Sequence, residues 1–205
     1  TYLGESAFCG CNLNGHLVLH DNIKFIGGYT FYSCEFRGEL ILPQDLETIG
    51  EFAFSGPYYP PYSFKDSNFF SGELKLPASL KELQQCAFAG CSRISGTLEI
   101  PKSLTAIQSR AFADCSSIEK LILPSTMDVI KNGAFAYCYG LGSIVCNAVN
   151  PPYVESDAFA GVAKDNFAVE VPEASVAAYR TAQGWSEFKR IVAHRELVCR
   201  PYFAT

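Results

Sequence analysis

No stretch of this 205-residue chain approaches the ~18 consecutive apolar residues that a membrane-crossing helix needs. Basic residues form no stripe. The 16 Lys and Arg are dispersed among 21 Asp and Glu, for a net charge of -5, which argues against a nucleic-acid surface. Histidine is scarce, and two of the three, His16 and His20, flank one short strand. Four strand residues span ~13 Å at ~3.3 Å each, too far for a single metal, and both read as solvent-facing strand edges. His194 has no readable role. No Gly-x-Ser-x-Gly elbow, His-Glu-x-x-His helix or phosphate-cradling glycine loop is present. Carboxylates stand singly, and a pair such as Glu73 and Glu99 facing each other on adjacent strands needs no catalysis to explain it. These absences exclude a membrane span, a nucleic-acid binder and a recognisable catalytic centre. They leave a chain of 48% apolar and 18% charged residues, with ample core material and no compositional sign of disorder.

What the chain has is a beat. Phe8, Phe31, Phe54, Phe88, Phe112, Phe135 and Phe159 are separated by 23, 23, 34, 24, 23 and 24 residues, so one interval carries 11 extra residues. Ala precedes six of the seven, and Cys follows five of them three residues later, at Cys11, Cys34, Cys91, Cys115 and Cys138. A fixed period in the 20s marks a stacked repeat protein. Each coil can bury its apolar side only against its neighbours.

An apolar-x-apolar triplet follows each post: Leu17/Leu19, Leu40/Leu42, Leu74/Leu76, Leu98/Ile100, Leu121/Leu123, Ile144/Cys146 and Val169/Val171. Alternation over so few residues predicts a short strand with one buried face. Pro43, Pro77, Pro101, Pro124 and Pro172 close five of these strands, where a missing N–H does least harm to a ladder. Apolar residues then recur at a spacing of three (Leu46 and Ile49; Leu104 and Ile107). That spacing suits a tight turn or 3₁₀ segment better than a long helix. The expected fold is a β-rich α/β repeat solenoid, its successive strands parallel at ~4.8 Å in one continuous sheet. Thr1 falls in the middle of a coil with no initiator Met or signal peptide. The chain therefore reads as a trimmed or mature fragment, with Leu3, Phe8 and Leu17 exposed at its first coil.

Runs such as Leu121-Ile-Leu-Pro-Ser-Thr-Met-Asp-Val-Ile-Lys-Asn-Gly-Ala-Phe-Ala-Tyr-Cys138, and the similar run from Leu98 to Cys115, resemble the BspA-like branch of the leucine-rich repeat proteins. The likeness covers residues 1 to about 172. It implies a horseshoe with one parallel sheet, compact turns on the return side and a C-terminal cap. It also implies a secreted or surface-attached bacterial protein, a non-catalytic adhesin or host-interaction factor without a cofactor. Residues 173–192 look like the family's closing segment. From their own chemistry, Ser175 suits an N-cap, Gly184 suits a left-handed stop, and Trp185, Phe188 and Ile191 suit a lid over the last coil. Residues 193–205 fit no pattern.

The registered cysteines would stack as a column. Parallel side chains at ~4.8 Å exceed the ~3.8 Å Cβ separation of a disulfide, so buried free thiols are the first reading. One or two disulfides, or a metal, are the alternatives. The insertion, residues 57–70, carries Tyr58, Tyr59, Tyr62, Phe64, Phe69 and Phe70 among prolines. Stiff aromatic loops make economical contact surfaces, and insertions in repeat arrays map to loops on one face. Tyr58, Tyr59, Tyr62 and Phe64 are therefore candidate partner-binding residues, against the alternative that they pack on the solenoid's flank, as Phe69 and Phe70 are expected to do. A second candidate surface is the column of strand midpoints Val18, Ile41, Lys75, Glu99, Ile122, Val145 and Glu170, with Ile122 and Val145 at its apolar heart. The expected partner is a protein or glycan outside the cell. Competing readings are a structural spacer presenting another domain, and a glycan-binding accessory module.

Overall fold

The computed structural model describes residues 1–59, 63–64 and 68–194. The chain winds as a stack of coils joined by parallel backbone ladders, and among the described residues only Val176–Thr181 is α-helical. It is a β-solenoid.

The posts form the deepest ladder. Ring centroids lie 5.5 Å apart from Phe8 to Phe31, 5.1 Å from Phe54 to Phe88, and 5.6 Å for both Phe88–Phe112 and Phe112–Phe135. Planes within 4° for the last two pairs and separations above the ~4.8 Å rise give the offset stacking that aromatic quadrupoles prefer. Three backbone bonds flank each of the first five rings: Arg110, Phe112 and Asp114, for example, donate N–H to the carbonyls of Asn132, Ala134 and Ala136 at 3.0, 2.9 and 2.8 Å. To aim alternate amides at the next coil, the chain turns left-handed two residues before each post. Ser6, Tyr29, Phe52, Cys86, Arg110, Gly133 and Asp157 all have φ between 53° and 64°. It does so again two residues after most posts, at Gly10, Ser33, Gly90, Asp114, Tyr137 and Gly161.

On the return side the spacing of three resolves into two parts. Pro43, Pro77, Pro101 and Pro124 each accept a bond from the amide three residues on, at 3.0–3.2 Å, which is the tight turn expected. The following segment is a two-residue parallel strand rather than 3₁₀ helix. Tyr2–Leu3, Phe25–Ile26, Thr48–Ile49 and Glu82–Leu83 form one such sheet. Ala106–Ile107, Val129–Ile130 and Tyr153–Val154 form another.

The expected single sheet of triplets forms only over the last four, from Leu98 to Val171, whereas the strands expected at Leu17/Leu19, Leu40/Leu42 and Leu74/Leu76 do not form. Gly96–Glu99, Ile118–Leu123, Ser143–Cys146, Ala168–Val171 and Arg190–Ala193 pair as five parallel strands. Before them, Asn14–Gly15, Glu35–Gly38 and Phe69–Phe70 make a separate three-stranded sheet. The cause is a column of glycines two residues ahead of the triplet. Gly15, Gly38, Gly72 and Gly96 have φ of 102°, 84°, 86° and 73°, a left-handed bend that ends ladder pairing. The register slips at Gly96/Thr97 for the same reason. From Ile118 onward no left-handed glycine interrupts, and the strand runs through.

Among the described residues the cysteines form no disulfide, and four of them have a shared task. Cys34, Cys115 and Cys138 donate Sγ–H to the carbonyls of Phe8, Phe88 and Phe112 at 3.1–3.2 Å, and Cys91 to that of Phe54 at 3.4 Å. Pro57 occupies this register position in the coil that carries the insertion, and Asn68 replaces the missing thiol. Its Nδ2 donates to the carbonyls of both Phe31 and Phe54 at 2.9 Å, and the side chain is 2% exposed. Asn68→Ala is therefore expected to cost ~2 kcal/mol, two buried acceptors losing a donor while each keeps another. Urea unfolding followed by circular dichroism measures it, and an unchanged midpoint would show that Asn68 merely occupies space.

Tyr179, Trp185, Phe188 and Ile191 are buried over the last coil. Trp185 Nε1 donates to Pro152 O at 2.8 Å and Tyr179 Oη to Ala148 O at 2.7 Å. Ser175 stands at the helix N-cap, as its sequence position suggests, but its side chain makes no capping bond. A 3₁₀ turn, Glu173–Ser175, leads directly into the helix, and the Ser175 hydroxyl instead donates to Val149 O at 2.7 Å. The opposite end is open, with Tyr2, Phe8 and Phe25 exposed and Leu3 and Leu17 half-buried.

Candidate functional site

The insertion leaves the coil at Gly56 and folds back on the flank beside the posts. Tyr58–Tyr59 pairs antiparallel with Ser63–Phe64. Small residues one step beyond successive posts, Ala89 and Ala113, with Cys86, form a seat that the Phe64 ring fills. Phe64 N–H donates to Asp114 Oδ2 at 3.2 Å, two coils further on. Arg110 lies over the Tyr58 ring at 5.6 Å. At the exit, Phe69 is held between Arg37 at 5.1 Å and Arg93 at 4.7 Å, while Phe70 is fully buried against Phe36 and Phe54.

For Phe64 the packing alternative holds. Phe64, only 7% exposed, is a core residue of a small second cluster, because the alanine seat offers it more contact than solvent does. Tyr58 is half-buried beside it, their centroids 5.1 Å apart. The side chain of Tyr59 and all of Tyr62 lie outside the described residues. Flank aromatics that the sequence did not single out extend the cluster: Tyr29 stacks on Phe52 at 4.9 Å, and Phe52 reaches Phe64 at 6.4 Å.

Ile122 and Val145 are brought together. They are direct register partners on Ile118–Leu123 and Ser143–Cys146, half-buried on the sheet's outward face. The row continues in register to Glu99 on one side and to Glu170 and Val192 on the other. It does not continue to Lys75, Ile41 and Val18, because the sheet breaks before Gly96. At that break, Glu73, Lys75, Thr97, Glu99 and Lys102 line a cleft of about 490 Å³. The expected column of midpoints is thus two surfaces: an ordered one around Ile122 and Val145, and a separate one where Ile41 and Val18 are 68% and 81% exposed.

The family model for the BspA type leucine rich repeat region matches this chain in six copies, over residues 1–58 and 58–170. The chain belongs to that family. A crystal structure of a leucine rich cell surface protein from Faecalibacterium prausnitzii A2-165 is similar at 13% identity and a TM-score of 0.30, covering 96% of this chain and 70% of that one. No curated protein matches.

In this BspA-type chain the junction between the two copy blocks falls at residue 58, where the insertion begins to fold back. Among the described residues, no three His, Cys, Asp or Glu side chains converge as metal ligands, and no helix is long and apolar enough to cross a membrane. His16 and His20 are both exposed. The surfaces that remain can hold a partner through apolar contact and peripheral charge. Arg37, Arg93, Arg110, Asp114 and Asn68, which position the insertion, carried no local signal. Only the missing Cys at Pro57 marked that something else must serve the Phe31 carbonyl.

Proposed function

We propose that this chain is a non-catalytic recognition module, secreted or held at the cell surface, that docks a protein partner on the outward face of its five-stranded sheet. The observation that carries this reading is the in-register row Glu99, Ile122, Val145, Glu170. Two β-branched apolar side chains stand between two carboxylates on strands pinned by continuous ladders. An apolar centre with a charged rim is the anatomy of a binding surface, and a rigid sheet loses little entropy on docking. The partner that fits carries an apolar anchor flanked by Lys or Arg. Packing of Phe64 and Asn68 into the solenoid gives the insertion a structural task, so it no longer argues against the spacer reading. The sheet face does.

The test replaces both apolar residues by a polar β-branched one, which keeps strand propensity. Ile122→Thr/Val145→Thr should weaken binding to immobilised extracellular-matrix proteins, measured by biolayer interferometry, by tenfold or more, since few residues dominate such surfaces. The thermal midpoint should move by only a few degrees. Binding equal to wild type would remove the sheet face from consideration, and a spacer would bind no member of the panel in either form.

A further inference from the structure

A groove of about 270 Å³ lies on the post flank, beside the docked insertion and away from the triplet sheet. Its floor is the same small-residue column that seats Phe64. Ala89 and Ala113 are covered by the insertion, whereas Gly133, Ala136 and Ala160 line the open part. One wall is Tyr58 with Arg110 over its ring, and the other is Tyr137. Asp157 and Asn132 stand at the far rim. Asn132 is oriented by donating Nδ2–H to Ser156 O at 2.7 Å. The Tyr137 ring is seated on the next coil: a Cβ at Gly161 would fall 2.9 Å from its Cδ1.

Tyr137 also occupies a backbone position that disfavours it. Its φ is 62°, in a register position where Gly10, Gly90 and Gly161 serve other coils. A bulky left-handed residue costs of order 1 kcal/mol or more. Asp157 (φ 59°) takes the place that Gly133 fills one coil earlier. Both side chains line the groove.

We propose that this groove holds one pyranose ring of a neutral glycan. A hexose presents a C–H face to an aromatic ring and hydroxyl pairs along its edge. The groove offers half-buried tyrosine rings above a floor without competing side chains. Carboxylate, amide and guanidinium groups at its rim supply both donors and acceptors. Its volume suits a single ring rather than a drug-sized ligand. The exposed Asp157 carboxylate at the rim disfavours uronic and sialic acids, since like charges brought together are repelled. The inference is independent of the sheet-face reading.

Saturation-transfer NMR on the whole chain tests it, with cellotriose, mannotriose and galactotriose as neutral probes and sialyllactose as the charged control. Ring-proton transfer from at least one neutral trisaccharide is expected, with a dissociation constant of order 1 mM, and none from the control. Tyr137→Gly removes the ring while relieving the left-handed strain, so it should fold at least as stably and bind about tenfold more weakly or not at all. Tyr137→Phe should retain binding, because the stacking face is kept, and Asp157→Asn should weaken it a few-fold. Ile122→Thr/Val145→Thr should bind the sugar like wild type. Absence of transfer from every neutral probe, equal transfer from sialyllactose, or binding that survives in Tyr137→Gly would each overturn the proposal.

Discussion

Phe112→Ala is expected to lower the unfolding free energy by ~3–5 kcal/mol, the range for aromatic truncation in a packed core. Phe112 is fully buried between Phe88 and Phe135, each 5.6 Å away. The cavity left behind cannot close, because the backbone on both sides is pinned: Phe88 N–H bonds Ala111 O and Phe112 N–H bonds Ala134 O, both at 2.9 Å. Stability in a stacked array is the sum of coil and interface terms, so the substitution weakens two interfaces in the middle of the stack. It can split the single transition into two, the N-terminal coils melting apart from the capped C-terminal ones. Phe8→Ala makes the contrast. Phe8 is 38% exposed and has one stacking neighbour, so its loss should cost ~1–2 kcal/mol. Urea titration of both variants by circular dichroism decides. Equal effects, or a Phe112→Ala effect under ~1 kcal/mol, would mean the posts are not the axis of the fold.

The posts, triplets, proline turns and aromatic lid were legible because each follows from burial, and burial leaves a period in the residue types. Backbone handedness leaves a fainter mark. The left-handed turn before each post falls on Ser6, Tyr29, Phe52, Cys86, Arg110 and Asp157, residues that share no chemistry, so nothing in composition announces it. The glycines at 15, 38, 72 and 96 do share one register position, and their column was the available signal that the triplet sheet would break before residue 97. Ser175 does sit at the N-cap, but its hydroxyl is turned to donate to Val149 O, a contact across 26 residues that no local pattern encodes. The candidate surfaces divide along the same line. Ile122 and Val145 were readable from strand alternation alone. The burial of Phe64 depends on Ala89, Ala113 and Asp114, contacts across 25 to 50 residues of sequence that no local pattern encodes.

Raising the pH from 7.5 to 10 should destabilise this protein by ~4 kcal/mol, more than loss of surface ion pairs explains. Burial pushes the thiols of Cys86 and Cys138 up to about 12, and that of Cys115 well above its ordinary value of 9.0. In the unfolded chain the same thiols ionise near pH 9. Above that pH the unfolded state sheds protons that the folded state keeps, so stability is intact below about pH 9 and falls as pH climbs toward the folded values. Each group removes ~1.4 kcal/mol per pH unit in that window, and three together give the figure above. The same burial that protects the proton protects the sulfur: with a thiol-alkylating reagent at pH 8, Cys9, exposed, and Cys11, half-buried, should react before any thiol of the inner column. Cys115→Ser/Cys138→Ser isolates the cause. A hydroxyl can still donate to the Phe88 and Phe112 carbonyls but does not titrate in this range, so the variant's unfolding midpoint should fall less steeply with pH than wild type's. Parallel curves would show that the alkaline loss arises elsewhere, with Tyr179 the next group to examine, since burial raises its hydroxyl too.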